Sequence, residues 1–215
     1  MNNEEDEKEI KIELPELNFL NQVTDNRVKD NHIYFYSDVT TRSCLSLIEK
    51  LTELEKSLLT KQFKHKNHQE YIYLHINSNG GSVFAAFGVI DTIRNLRVPV
   101  VSIIEGSAAS AATLISISCD YKLITPNSYM LIHELSSAFW GKFTDFENEI
   151  DNLENLMKRI RHLYKKFTNL TSRDLDKVLR DDIWWDSDIC LEYGLVDEVL
   201  KKKKSYKFDR ESMDL

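Results

Sequence analysis

The sequence predicts an α/β protein whose parallel strands are buried on both faces, and three observations carry that prediction. Apolar, strand-like runs at residues 71–77 and 98–104 are each followed by a glycine-bearing turn and then by a helical pattern, which is the repeating unit of a parallel sheet. The chain holds only 6 Gly and 3 Pro in 215 residues, well under the usual shares of about 7% and 5%. That scarcity excludes collagen-like, Pro/Gly-rich and turn-dense all-β chains. With 42% hydrophobic and 10% aromatic residues, there is enough apolar surface for a sizeable core in one domain, or at most two small ones.

The elements follow in chain order. Residues 1–30 open with a run of acids, Glu4 to Glu7, and have little to bury; they are expected to form a mobile arm, clearest over residues 1–13. Residues 32–39 read as a strand from their β-branched and aromatic content. Cys44, Leu45, Leu47, Ile48, Leu51 and Leu54 recur at helical spacing, so residues 41–59 are expected to be an amphipathic helix capped by Thr40 or Thr41, with a loop over 61–69. The strand at 71–77 enters the turn Ser78-Asn79-Gly80-Gly81-Ser82, and residues 83–95 carry helical periodicity. The strand at 98–104 is expected to turn at Glu105-Gly106 into a helix over 107–118. Two strands, 121–125 and 129–135, flank the turn at Pro126-Asn127.

Beyond these, Phe146, Ile150, Leu153, Met157, Ile160, Tyr164 and Phe167 alternate steps of four and three residues. This predicts one long helix, and a repeat near 3.5 residues is suited to sealing against a second helix. Thr171 or Ser172 caps a further helix ending near Arg180, and residues 195–200 form a last strand. A domain over 31–200 and a basic tail over 201–215 complete the organisation, with no internal repeat.

A net charge of −7 and a pI near 5.4 argue against general affinity for nucleic acid or anionic membrane. Cys44, Cys119 and Cys190 are odd in number, widely separated and set among apolar residues, so free thiols in a reducing, cytoplasmic compartment are expected. The acidic N-terminus is the opposite of an export signal. Residues 98–119 are apolar, yet they carry Glu105 and many small residues; they read as a buried strand and helix rather than a membrane span.

Chemistry is suggested at three places. The Gly80-Gly81 pair can present backbone N–H groups to a ligand, because no Cβ blocks the approach; an ordinary tight turn is the plainer alternative. Nothing matches a dinucleotide or Walker-type phosphate loop. Gly106-Ser107-Ala108-Ala109-Ser110-Ala111-Ala112 sets two serines at a helix start, where unpaired N–H groups favour a developing anion; alternatively Ser107 simply caps that helix. His133 lies on the apolar strand, where a lone histidine can be a base or a core residue, and the neighbouring Glu134 faces the other side. His32, His65, His68, His75 and His162 form no metal-ligand spacing, so no metal is expected.

Taken together, these residues resemble the Clp protease proteolytic subunit family, serine peptidases of the crotonase-like fold. The resemblance rests on 76–82 (Ile-Asn-Ser-Asn-Gly-Gly-Ser), 106–110 (Gly-Ser-Ala-Ala-Ser), Pro126-Asn127-Ser128 with 130–133, and 192–197 (Glu-Tyr-Gly-Leu-Val-Asp), in that order. It implies a crotonase/ClpP-like spiral of ββα units, with the long helix protruding as a handle for oligomerisation. It further implies that Ser110 is the nucleophile, His133 the general base and Asp182 the acid that orients the imidazole, while Gly81 and Ala111 N–H groups form the oxyanion hole. Asp181 is the alternative acid; Asp186 and Asp188 read as surface or capping residues.

The same resemblance implies cleavage of unfolded polypeptide inside a homo-oligomeric ring or double ring. It implies no cofactor in the subunit, ATP entering only through a partner AAA+ unfoldase. Departures from the family pattern are Asn79 for the usual proline, Ala111-Ala112-Thr113 for Met-Gly-Ala, and Asp181 where an arginine serves ring-to-ring ion pairing. A catalytically inactive ring subunit, a capsid-maturation protease of viral type and a crotonase-type acyl-CoA enzyme are the competing readings.

Overall fold

The structure is a computed structural model that describes residues 26–64, 69–138 and 140–200. Its strands and helices run β1 (Arg27–Lys29), β2 (His32–Phe35), α1 (Thr41–Lys64), β3 (Ile72–Ser78), α2 (Val83–Asn95), β4 (Val100–Ala109) and α3 (Ala111–Ile117). The second half comprises β5 (Tyr121–Ile124), β6 (Tyr129–Leu131), α4 (Phe143–Phe167), α5 (Ser172–Asp181), β7 (Trp184–Trp185), α6 (Ser187–Glu192) and β8 (Glu198–Val199). The sheet order is β1-β2-β3-β4-β5-β8, with β6 pairing on β4 and β7 on β6. Strands β2 to β5 are mutually parallel, as are β4 with β6 and β5 with β8. The α/β class read from the sequence is therefore the one observed.

Alternation decides which face is covered. Ile72, Leu74 and Ile76 of β3 are fully buried, as are Ile33 and Phe35 of β2, and they share one core with Leu47, Leu51, Ala86, Val89 and Leu114 from the helices. The other face of β2 and β3 carries His32, Tyr34, Tyr73 and His75. There His32 Nδ1 lies 2.8 Å from His75 Nε2, and His75 Nδ1 lies 3.1 Å from Glu105 Oε1, close enough for a charge contact. On β5, the ammonium of Lys122 reaches the carbonyls of Phe167 (3.1 Å) and Gly194 (3.2 Å) and pairs with Asp197 (3.2 Å). This buried clip fastens the end of α4 and the turn after α6 to the sheet; each carbonyl offsets part of the lysine's desolvation.

Local signals explain several boundaries. Ser82 accepts a bond from the Ala85 N–H and starts α2 where the sequence places it. Thr171 and Asp174 form a reciprocal capping box on α5, and Asp186 caps α6 through the N–H groups of Asp188 and Ile189. All three cysteines are free and buried. No helix among the described residues is long and apolar enough to cross a membrane.

The structure corrects other expectations. Strand β4 does not turn at Glu105-Gly106; it runs on to Ala109, so Ser107 is a strand residue and the helix starts only at Ala111. Gly106, at φ +81°, instead forms a bulge: Ile76 is opposite Ile104, but Ser78 is opposite Ala108. Helix α1 continues into the expected loop as far as Lys64, because the polar residues there are good helix formers; residues 65–68 of that loop lie outside the described residues. The strand expected over 129–135 ends at Leu131, the one expected over 195–200 shrinks to Glu198–Val199, and β7 and α6 emerge unforeseen. Arg27–Lys29 of the expected arm joins the sheet as β1, antiparallel to β2. Asn26 of that arm is also buried, donating to the Ser43 carbonyl at 3.0 Å; residues 1–25 and the tail over 201–215 lie outside the described residues.

Helix α4 starts at Phe143 and reaches Phe167, slightly longer than its apolar stripe. Only Ile160, Leu163 and Tyr164 are buried, whereas Phe146 and Ile150, about one and two turns from the start of the helix, are exposed.

Candidate active site

Ser110 stands between β4 and α3 in a conformation rare for a side-chain-bearing residue, φ 55° and ψ −125°. Such a backbone costs roughly 1–3 kcal/mol and persists only where surrounding contacts enforce it. Here the Ser110 N–H donates to the Leu131 carbonyl at 2.8 Å, and its carbonyl accepts from the Thr113 N–H at 3.0 Å and the Thr113 hydroxyl at 2.6 Å. The Ser110 hydroxyl makes no capping bond. The backbone is committed while the side chain is free for chemistry.

The double-glycine turn after β3 packs directly on this point. A Cβ on Gly80 would lie 2.5 Å from the Ala109 oxygen, 2.7 Å from the Ser110 Cβ and 3.2 Å from the Ala111 nitrogen, so only glycine permits the approach. Gly81 is held by Val39, whose N–H bonds the Gly80 carbonyl (2.8 Å) and whose carbonyl accepts from Ser82 (2.7 Å). The N–H groups of Gly81 and Ala111 find no acceptor among the described residues. Val39 and Thr113 hold these two turns; the sequence did not single out Val39, an apolar residue after a strand, and marked Thr113 only as a departure from the family pattern, with no role attached.

His133 lies two residues past β6, half-buried. Because β6 pairs with the end of β4, Ala109 opposite Leu131, the histidine follows the strand immediately beside the Ser110 turn. On its other side, β7 pairs antiparallel with β6, Leu131 opposite Trp184, and the Glu134 N–H donates to the Leu179 carbonyl at 2.9 Å. These two tethers bracket residues 132–133 on one segment and residues 180–183, Asp182 among them, on the other.

Asp182 terminates α5 in the left-handed region, φ 45° and ψ 42°, with an exposed side chain. Asp181 instead lines a cavity of about 330 Å³ with Lys177, Ile183, Trp185 and Tyr193. No hydrogen bond joins the side chains of Ser110, His133 and Asp182 among the described residues. The structure thus brings Gly80, Gly81, Ser110 and Ala111 together, sets His133 beside them, and leaves Asp182 in the bracketing segment without a bond. Among the described residues no group of three or more His, Cys, Asp or Glu could hold a metal.

A parallel α/β sheet with a strained serine turn and a double-glycine turn at adjacent strand ends defines a class of α/β proteins with a backbone-amide cradle beside a potential nucleophile. Comparison with known proteins narrows that class. The profile described as Clp protease matches residues 17–203, and the chain belongs to the Clp protease family, a family of serine peptidases. It is 31% identical over 190 residues to ATP-dependent Clp protease proteolytic subunit 1 of Chlamydia caviae, covering 86% of this chain and 95% of that one. It is 28% identical over 195 residues to ATP-dependent Clp protease proteolytic subunit 2 of Treponema denticola, covering 87% and 98%.

Proposed function

We propose that the chain is a serine endopeptidase in which Ser110 is the nucleophile, His133 the general base and Asp182 the orienting acid. In this reading, Ser110 Oγ attacks the peptide carbonyl as His133 takes its proton, and the oxyanion settles between the Gly81 and Ala111 amides. His133 then passes the proton to the departing amine. Water repeats the sequence on the acyl-enzyme, restoring Ser110. The observation that carries the reading is the Ser110 turn itself: a strained backbone and an uncommitted hydroxyl, against which Gly80 packs without a side chain. The location of Asp181 in a separate cavity favours Asp182 as the acid.

The printed names of the two relatives, both ATP-dependent proteolytic subunits, extend the reading to assembly. The chain would form a homo-oligomeric ring or double ring and degrade unfolded polypeptide delivered by an AAA+ unfoldase, in the cytoplasm and with no cofactor of its own. Exposed Phe146 and Ile150 on α4 support a handle that seals against a second copy. A fluorophosphonate probe tests the chemistry: a covalent adduct on Ser110, lost in Ser110→Ala together with peptide hydrolysis, is expected. Hydrolysis at the full rate in Ser110→Ala would overturn the nucleophile assignment. The exposed, unbonded Asp182 favours one second reading, an inactive ring subunit; it predicts no adduct even in the native-mass assembly.

A further inference from the structure

The peptide unit joining Ser110 to Ala111 is gripped from one side. Its carbonyl accepts both the N–H and the hydroxyl of Thr113, at 3.0 and 2.6 Å. The Thr113 oxygen in turn lies within hydrogen-bonding reach of the Tyr164 hydroxyl on α4. With the Thr113 proton given to the Ser110 carbonyl, the Tyr164 proton must go to the Thr113 oxygen, so the chain runs Tyr164 to Thr113 to Ser110. Both side chains are buried, Thr113 at 0% and Tyr164 at 2% exposure. Burial pushes the Tyr164 phenol well above its ordinary range, more than the Thr113 contact lowers it, which keeps it a donor. Serial bonds of one polarity in a dry interior reinforce one another.

The two ends of a trans peptide unit point in opposite directions. No peptide bond among the described residues is cis. Pulling the Ser110 carbonyl toward Thr113 therefore drives the Ala111 N–H the other way, and only the lack of a side chain at Gly80, whose Cβ would stand 3.2 Å from the Ala111 nitrogen, keeps that turn close to it. We infer that Thr113 and Tyr164 are positioning residues for the reaction, their hydroxyl chain fixing the Ser110–Ala111 peptide so that the Ala111 N–H is aimed at the oxyanion. This rests on the reading of that amide as an oxyanion donor. Long helix α4 thereby acts on the nucleophile turn through one side chain.

The test compares Thr113→Val, which keeps the shape and removes the hydroxyl, with Thr113→Ser, which keeps the hydroxyl, and with Tyr164→Phe. Thr113→Val is expected to lower kcat about 10- to 100-fold, the scale of a misaimed oxyanion donor, with KM changed less than about 2-fold. Affinity for a peptide boronate should fall in parallel, while binding of uncleaved peptide to Ser110→Ala should be unaffected by adding Thr113→Val. Thr113→Ser should restore kcat, and Tyr164→Phe added to Thr113→Val should cost nothing more. A lowered melting temperature with kcat and boronate affinity intact would show a merely structural bond and overturn the inference. If the unaltered protein neither hydrolyses peptide nor takes up fluorophosphonate, it is the peptidase reading that fails. The peptide's orientation is then read from the Ala111 amide resonance, which should shift in Thr113→Val, and whose constancy would refute the positioning.

Discussion

Gly80→Ala puts the geometry of the serine turn to its most direct test. The new methyl carbon would fall 2.5 Å from the Ala109 oxygen and 2.7 Å from the Ser110 Cβ, roughly 1 Å inside ordinary van der Waals contact. Neither neighbour can swing aside: the oxygen is backbone, and Ser110 is pinned through its N–H and carbonyl. Gly80 also holds φ +91°, a region that costs an alanine about 1–2 kcal/mol. Adding about 1–3 kcal/mol for overpacking gives a destabilisation of about 2–5 kcal/mol. For a chain of this size that lowers Tm by roughly 4–20 °C. Because relief requires the serine turn to retreat, kcat should drop by about 100-fold even where the protein remains folded. Gly88→Ala is the control: it lies within α2, and its Cβ would meet only Ile48 Cδ1 at 3.7 Å, so it should be neutral or stabilising by up to about 1 kcal/mol. Thermal denaturation monitored by circular dichroism, with peptide hydrolysis at a temperature where both variants are folded, measures each quantity. A Gly80→Ala protein as stable and active as Gly88→Ala would refute the close approach of the two turns.

Three further outcomes are expected. Asp182→Asn should cut kcat by about 10³- to 10⁴-fold through loss of imidazole orientation, whereas Asp181→Asn should leave peptide hydrolysis nearly unchanged; the reverse order would transfer the role to Asp181. Burial, followed by the charge of His75, lowers the pKa of His32 below its ordinary 6.5, against the opposing pull of Asp30 and Glu105 and with a small further push from Lys29. The folded state then binds fewer protons than the unfolded chain, so stability should decline as pH falls below about 6.5, and His32→Gln should flatten that decline in denaturant titrations across pH 5 to 7. Burial also pushes the Cys119 and Cys190 thiols up to about 12, so both should resist a disulfide reagent at pH 8 in the native protein and react promptly once it is denatured, as measured by thiolate release.

Sequence made elements legible where a local signal set their ends. Helix α2 lies between Ser82, which caps it, and a loop before the next strand, and α5 announces itself through Thr171 and Asp174 three residues apart. The failure at Gly106 has the opposite character. A glycine between an apolar run and small residues suits a turn or a bulge equally, and the choice depends on β6, a strand that begins only at Tyr129, 23 residues later. Strand β6 itself ends at Leu131 although the apolar pattern continues, because Glu134 turns its N–H to Leu179 on the way out of α5. Strands β1 and β7 exist only through their partners, and α6 is too short for its periodicity to register. At the site, the glycine pair, Ser110 and His133 could be picked out by residue type and order. The Thr113–Tyr164 contact could not, since it spans 51 residues and neither member is unusual for a helix.

The bulge that sequence reasoning missed is also what allows the site to assemble. One edge of β4 must accept two strands in succession: Val101 to Ile104 pair with β5, and Ser107 to Ala109 pair with β6. A regular strand offers a single continuous register, so the edge has to break between them. Gly106 makes that break at φ +81°, with Asn77 so close that a Cβ would lie 3.0 Å from its side chain, and Ser128 secures the fork by accepting the Gly106 N–H at 2.7 Å. Downstream of the fork, β6 runs parallel to β4 and ends level with it, which is why His133 emerges beside Ser110 rather than at the far end of the sheet. Strand β3, on the opposite edge, delivers Gly80 and Gly81 to the same level. Candidate nucleophile, candidate base and candidate amide cradle therefore come from the carboxyl ends of three parallel strands. The fork at Gly106 lets two of those strands share one edge.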